Sequence, residues 1–204
     1  MEPRMSPLYA DYDLDLWMEV PVEWAALPWK GPKQWARQMA EAWWGESEVP
    51  PARKEVKELA NVLRMCVERF PASYPGFDLY LHLPDPRLMP LPAWVGWLAS
   101  EGERDETLRA YVTTEDPDLL EEPLVEEFVS PALGAGLRSL RYTRMKGEQT
   151  IIAGVRYAFR DASRGVDVLV MVSAPDPRRV LAALPDLDSF AAGVSWERKP
   201  VEGE

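Results

Sequence analysis

The alternation of apolar and polar residues is sharpest between positions 151 and 173. Ile151, Ala153, Val155, Tyr157 and Phe159 share one face of an extended chain, and Arg156 and Arg160 share the other. Asp161-Ala162-Ser163-Arg164-Gly165 then separates this run from a second β-type run, Val166 to Ser173. Two such runs about a short turn predict a β-hairpin. One apolar face and one charged face predict an antiparallel sheet with one side on a core and the other in water.

Other segments switch between the two periods. Leu14, Leu16 and Met18 alternate with Asp13, Asp15, Trp17 and Glu19, which predicts a strand over 12–20 that Pro21 ends. Gly31-Pro32 opens a helix with Trp35, Met39, Ala42 and Trp43 on its apolar face, and Gly45 stops it. Val56, Leu59, Ala60, Leu63, Val67 and Phe70 form one stripe of a second helix. Period two returns at 77–83, with Phe77, Leu79, Leu81 and Leu83 on one side. Strands are expected over Leu108 to Thr113, Val125 to Val129 and Leu137 to Thr143. Asp176-Pro177 reads as an N-cap followed by Pro at the first helical position, and Leu187, Phe190, Ala191 and Val194 continue as a helical stripe. Residues 84–100, Pro-rich and then Trp-bearing, match neither period. The order predicts an α+β fold, a mainly antiparallel sheet flanked by helices in an α/β/α sandwich. No Gly/Ser linker interrupts it, so residues 1–204 are expected to form one domain with a frayed tail at about 198–204.

Composition narrows the class. The only cysteine, Cys66, excludes an intramolecular disulfide and suits a reducing compartment. The N-terminus lacks a signal-type apolar segment, and no run approaches the roughly 18 apolar residues that span a bilayer. A cytoplasmic protein without membrane contact is expected. The net charge of −11 disfavours nucleic acid and favours a basic protein partner. That charge is uneven: residues 101–127 carry 11 acids and two bases, whereas 138–164 carry seven bases and two acids.

Residues with chemistry are few. Asp78, Tyr80 and His82 lie at i, i+2 and i+4 on one strand face, too far apart for most direct hydrogen bonds, and read as its polar side. The run Asp11-Tyr12-Asp13-Leu14-Asp15 opens like a calcium loop but has Leu16 and Val22 where Gly and Glu are required. One His and one Cys exclude the usual His/Cys metal sites, and Gly134-Ala135-Gly136 lacks the further residues of a phosphate-binding loop. No catalytic residue, metal or cofactor is assigned. Six of the nine tryptophans fall between Trp17 and Trp44. Trp17 lies on the acidic side of its strand, and the adjacent Trp43 and Trp44 cannot both enter one core from a helix. Some indole surface is therefore expected to be open to a partner, with Trp17, Trp43, Trp44, Glu115, Asp116 and Asp118 as the partner-binding residues.

Leu16-Trp17-Met18-Glu19-Val20-Pro21-Val22-Glu23-Trp24, a strand ending in Pro with a Trp shortly after, resembles the opening of PsbP-like (Mog/PsbP superfamily) domains. The stretches Leu140 to Tyr142, Gly154 to Arg160 and Val168 to Pro175, then a C-terminal helix ending at Trp196, are similar to uncharacterised actinobacterial proteins of that α/β/α-sandwich type. The resemblance implies a non-enzymatic binding or assembly module and transfers no functional residue. The expectation is a protein-interaction module of the immunity or assembly-factor kind, with a small-molecule binder or hydrolase using a Trp-lined pocket as the alternative. A single-domain chain melts in one calorimetric transition; two separated transitions in dilute buffer would contradict that reading.

Overall fold

A computed structural model describes residues 8–197 except Glu48, Glu115 and Lys146. The architecture is mixed α+β, with antiparallel strands and flanking helices. The chain divides into two compact units. Among the described residues one holds 13–92, and the other holds 8–12 with 93–197.

In the first unit a two-strand antiparallel pair carries a helical hairpin. Strand β2 (Trp17–Val20) pairs with β3 (Asp78–His82), with Trp17 opposite His82 and Val20 opposite Leu79. Helices α1 (Pro32–Gly45) and α2 (Arg53–Arg69) pack on each other. The expected strand over 12–20 shortens at its start because Asp13 forms a turn. Its carbonyl accepts the Leu16 and Trp17 N–H groups, and its carboxylate accepts the Asp15 N–H at 2.9 Å. Helix α2 keeps the expected stripe, burying Leu59, Leu63, Cys66 and Val67, and Glu55 reaches back to accept the Ala52 N–H at 2.8 Å. Helix α1 is rotated from expectation and buries Trp35, Ala36, Ala40 and Trp44, not Met39, Ala42 and Trp43.

The second unit is a sandwich of helices on both faces of five strands. Strands β4 (Leu91–Ala99), β5 (Leu124–Ser130), β6 (Gly134–Arg144), β7 (Ile151–Asp161) and β8 (Val166–Ala174) run antiparallel in the order β4-β8-β7-β6-β5. The unassigned residues 84–100 thus contain a strand, and the expected hairpin is β7–β8. Helix α3 (Arg104–Thr113) packs on β6 and β7, while α4 (Pro177–Ala182) packs on β7 and β8 and α5 (Leu184–Ala192) on β5. Leu108 to Thr113, expected as a strand, lies in α3. Glu103 caps that helix by accepting the Asp105 and Glu106 N–H groups, and Leu108 and Val112, four residues apart, turn into the core.

The charged face of the hairpin is not wet. Residues directly opposite in an antiparallel pair share a face, so Ser139, Arg141, Arg156 and Arg160 project together, with Asp167 opposite Arg160. Helix α3 covers them. Arg160 forms a two-pronged pair with Asp167, at 2.7 and 2.9 Å, and also donates to the Glu101 and Gly102 carbonyls, each at 2.9 Å, just before α3. At the other end Arg156 donates to the Tyr111 carbonyl at 2.9 Å, Ser139 to Val112 at 2.7 Å, and Arg141 to Thr113 and Thr114. The last carbonyls of a helix lack partners within it and carry partial negative charge, which these donors satisfy.

On the opposite face Tyr157 donates to Asp188 of α5 at 2.7 Å, and Arg138 bridges Asp188 and Glu126. Burial, then the Asp188 bond, hold the Tyr157 hydroxyl well above its ordinary range. Burial opposes the Arg138 charge, but the bonds to Glu126 and Asp188 outweigh it and keep that guanidinium ionised. Two short strands, β1 (Tyr9–Ala10) and β9 (Val194–Ser195), pair beside α5, where Gly193 is required for contact and not for its backbone angle. A Cβ there would stand 2.0 Å from the Asp11 carbonyl oxygen, which is backbone. Gly193→Ala is expected to cost about 1–3 kcal/mol through overpacking, read as a lower urea midpoint at unchanged slope; an unchanged midpoint would mean that the contact yields freely.

Candidate functional site

The first unit contains an open groove of about 680 Å³, lined by the end of α1, the turn before β2 and the loop after β3. Its apolar lining is Leu14, Ala42, Trp43, Val49, Pro84 and Pro86. Leu14 and Val49 are exposed, and Trp43 is half-buried. The Trp43 N–H donates to the Leu83 carbonyl at 2.7 Å, so its polar edge is engaged and the groove meets ring carbon. Asp15, Glu46 and Asp85 supply carboxylates, against one guanidinium, Arg87.

That one cation of the lining is held in place. Its guanidinium carbon lies 4.6 Å from the Trp44 ring centroid, and it stands 3.8 Å from Glu55 and 3.7 Å from Asp85. Asp85 also accepts the Arg87 backbone N–H at 2.8 Å, which fixes the loop. The arrangement offers an apolar floor under a rim of net negative charge. It suits a large apolar group flanked by cations.

The six partner-binding residues expected from the sequence separate. Trp17 is 2% exposed, its ring 4.8 Å from that of the fully buried His82, and Trp44 is 3% exposed beneath Arg87. Both are core residues, a correction with a separate cause for each: Trp17 is covered against His82 although Glu19 on the same side of β2 is exposed, and Trp44 lies on the buried side of α1 beneath Arg87. Tyr80 and His82, opposite Glu19 and Trp17, are also buried and do not form a polar surface. Trp43 alone of the three lines the groove. Glu115 lies outside the described residues. Asp116 pairs with the buried Arg141 at 3.1 Å, and the Asp118 N–H donates to the Asp116 carboxylate at 3.0 Å, so this pair shapes the turn after α3. The rim acids Glu46 and Asp85 and the floor residues Pro84 and Pro86 were missed. Glu46 stands just after the Trp43-Trp44 pair, but Pro84, Asp85 and Pro86 follow a strand far along the chain, and no periodicity connects the two segments.

Among the described residues no group of three His, Cys, Asp or Glu side chains is placed to hold a metal ion, and no helix is long and apolar enough to cross a membrane. Compared with known proteins, the chain matches no protein-family model and no curated sequence.

Cys66 is buried in α2, and burial pushes its thiol from 9.0 up to about 12. Below pH 9 both folded and unfolded states carry the thiol. Between about 9 and 12 the unfolded chain releases the proton and the native one does not, so stability falls as pH rises through that window. The native protein is expected to resist an aromatic disulfide reagent at pH 8 and to react at once in denaturant; fast reaction of the native form would place Cys66 at the surface.

Proposed function

We propose that the protein is a non-catalytic protein-binding module that takes an apolar, basic peptide segment of its partner in the Trp43 groove. The observation that carries this is the pairing of an indole floor, its N–H already engaged, with three rim carboxylates and one immobilised guanidinium. Aromatic anchors of this kind dominate interface energies, and a negative rim speeds encounter with a positive partner. A reducing, cytoplasmic setting fits the lone, buried cysteine. The role belongs to the immunity or assembly-factor class, in which the partner is another protein and not nucleic acid or a membrane. The α/β/α layering of the second unit is the kind that a PsbP-like relationship implies. A second reading, a small-molecule binder or hydrolase, draws on the groove volume, which lies within the range of small-ligand pockets at about 300–1,000 Å³.

A selection from random peptide libraries separates the two. Enriched sequences should carry a large apolar residue between Lys or Arg, and Trp43→Ala should weaken their binding at least tenfold, about 1.4 kcal/mol. Raising salt should slow association more than it speeds dissociation. Peptides without basic residues, or affinity indifferent to Trp43→Ala, would defeat the proposal. Saturable binding of a neutral apolar small molecule in place of any peptide would favour the second reading.

A further inference from the structure

Strand β5 offers a second and independent surface. It closes the sheet order of its unit and pairs only with β6; among the described residues no strand pairs with its other side. Over seven residues that edge leaves backbone N–H and C=O groups pointing outward, a template for an added strand. Short edges, prolines and bulges commonly blunt such templates. Here Pro123 precedes the strand, but its seven residues pair in unbroken register from Leu124 opposite Leu140 to Ser130 opposite Gly134.

The edge is also rigid. Phe128 packs edge-on against Tyr157 at 5.0 Å and Phe159 at 6.0 Å. Ser130 accepts the Ala132 and Leu133 N–H groups and donates to the Ala192 carbonyl. An added strand therefore needs little reordering of its template.

Side chains along β5 specify the occupant. Leu124, 58% exposed, shares one face with Glu126 and Phe128; Val129, 69% exposed, shares the other with Val125 and Glu127. Glu126 is held by Arg138, whereas Glu127 has no ion-pair partner among the described residues. A second copy of this chain is a poor occupant. Antiparallel self-pairing centred on the strand sets Glu127 opposite Glu127, and sliding one copy by one residue sets Glu126 opposite Glu127, both destabilising. We infer that the outer edge of β5 docks an extended segment of another protein that carries, at successive second positions, a β-branched apolar residue, a Lys or Arg and another β-branched apolar residue, the cation facing Glu127 and the apolar side chains covering Val125 and Val129. The site shares no residue with the Trp43 groove and does not rest on it.

The probe is a synthetic nonapeptide with lysine at its centre, valine two residues to either side of it and threonine elsewhere, with a second version N-methylated at alternate amides. N-methylation leaves the charge pattern and removes the backbone donors. The unmodified peptide should slow amide exchange over 124–130, the methylated one should bind at least tenfold more weakly, and Glu127→Lys should weaken the unmodified peptide at least fivefold. Equal affinity of the two peptides would mean attraction by charge alone and overturn the inference. So would binding without protection of 124–130, indifference to Glu127→Lys, no binding at millimolar peptide, or concentration-dependent protection of β5 by the protein itself.

Discussion

The pair between Arg160 and Asp167 organises the larger unit. Asp167 is fully buried, and an uncompensated carboxylate there would cost several kcal/mol. Arg160 engages both its oxygens and the Ser100 hydroxyl adds a third bond at 3.0 Å. The remaining Arg160 donors reach the two carbonyls that lead into α3. The guanidinium that compensates the buried charge thus also ties down the start of α3. Arg156, Ser139 and Arg141 then fix where it ends. A ten-residue helix with only Leu108 and Val112 buried has little apolar anchorage of its own, and polar donors from the sheet supply the rest.

This changes the meaning of the charge distribution. An acidic segment at 101–127 and a basic one at 138–164 suggest, as sequence, an outward field for a partner. In the fold they meet. Asp116 pairs with Arg141, Glu126 with Arg138, and Arg156 and Arg160 hold the carbonyls at the ends of α3. Part of the segregation is internal complementarity, and the acids that face solvent, Glu127 among them, are what remains for recognition.

The hairpin, both long helices and the cap at Asp176 were legible because each satisfies a local rule: period, Pro at the first turn, or an Asx cap. Helix α3 was not, since Leu108-Arg109-Ala110-Tyr111-Val112-Thr113 alternates as well as a strand does, and its helical identity depends on Glu103 and on donors 25 to 50 residues away. Burial of Trp17, Tyr80 and His82 was hidden for a related reason. Period two reports which residues share a face, and only tertiary contacts decide whether that face is covered. The groove was half legible: the Trp43-Trp44 doublet marked it, and α1 resolved the doublet by burying Trp44 under Arg87 and leaving Trp43 at the surface. Its rim comes from three separate loops that no local pattern connects.

Sheet arginines, and not surface contact with a partner, hold α3 and the turn after it in place. Amide exchange on Arg141→Leu/Arg156→Leu, compared with wild type in the absence of any ligand, measures this directly. Amides in the last turns of α3 should lose most of their protection while those of α1 and α2 keep theirs. Wild-type protection throughout α3 would show that the helix stands without the arginines, and that the charge of this region is free for another use.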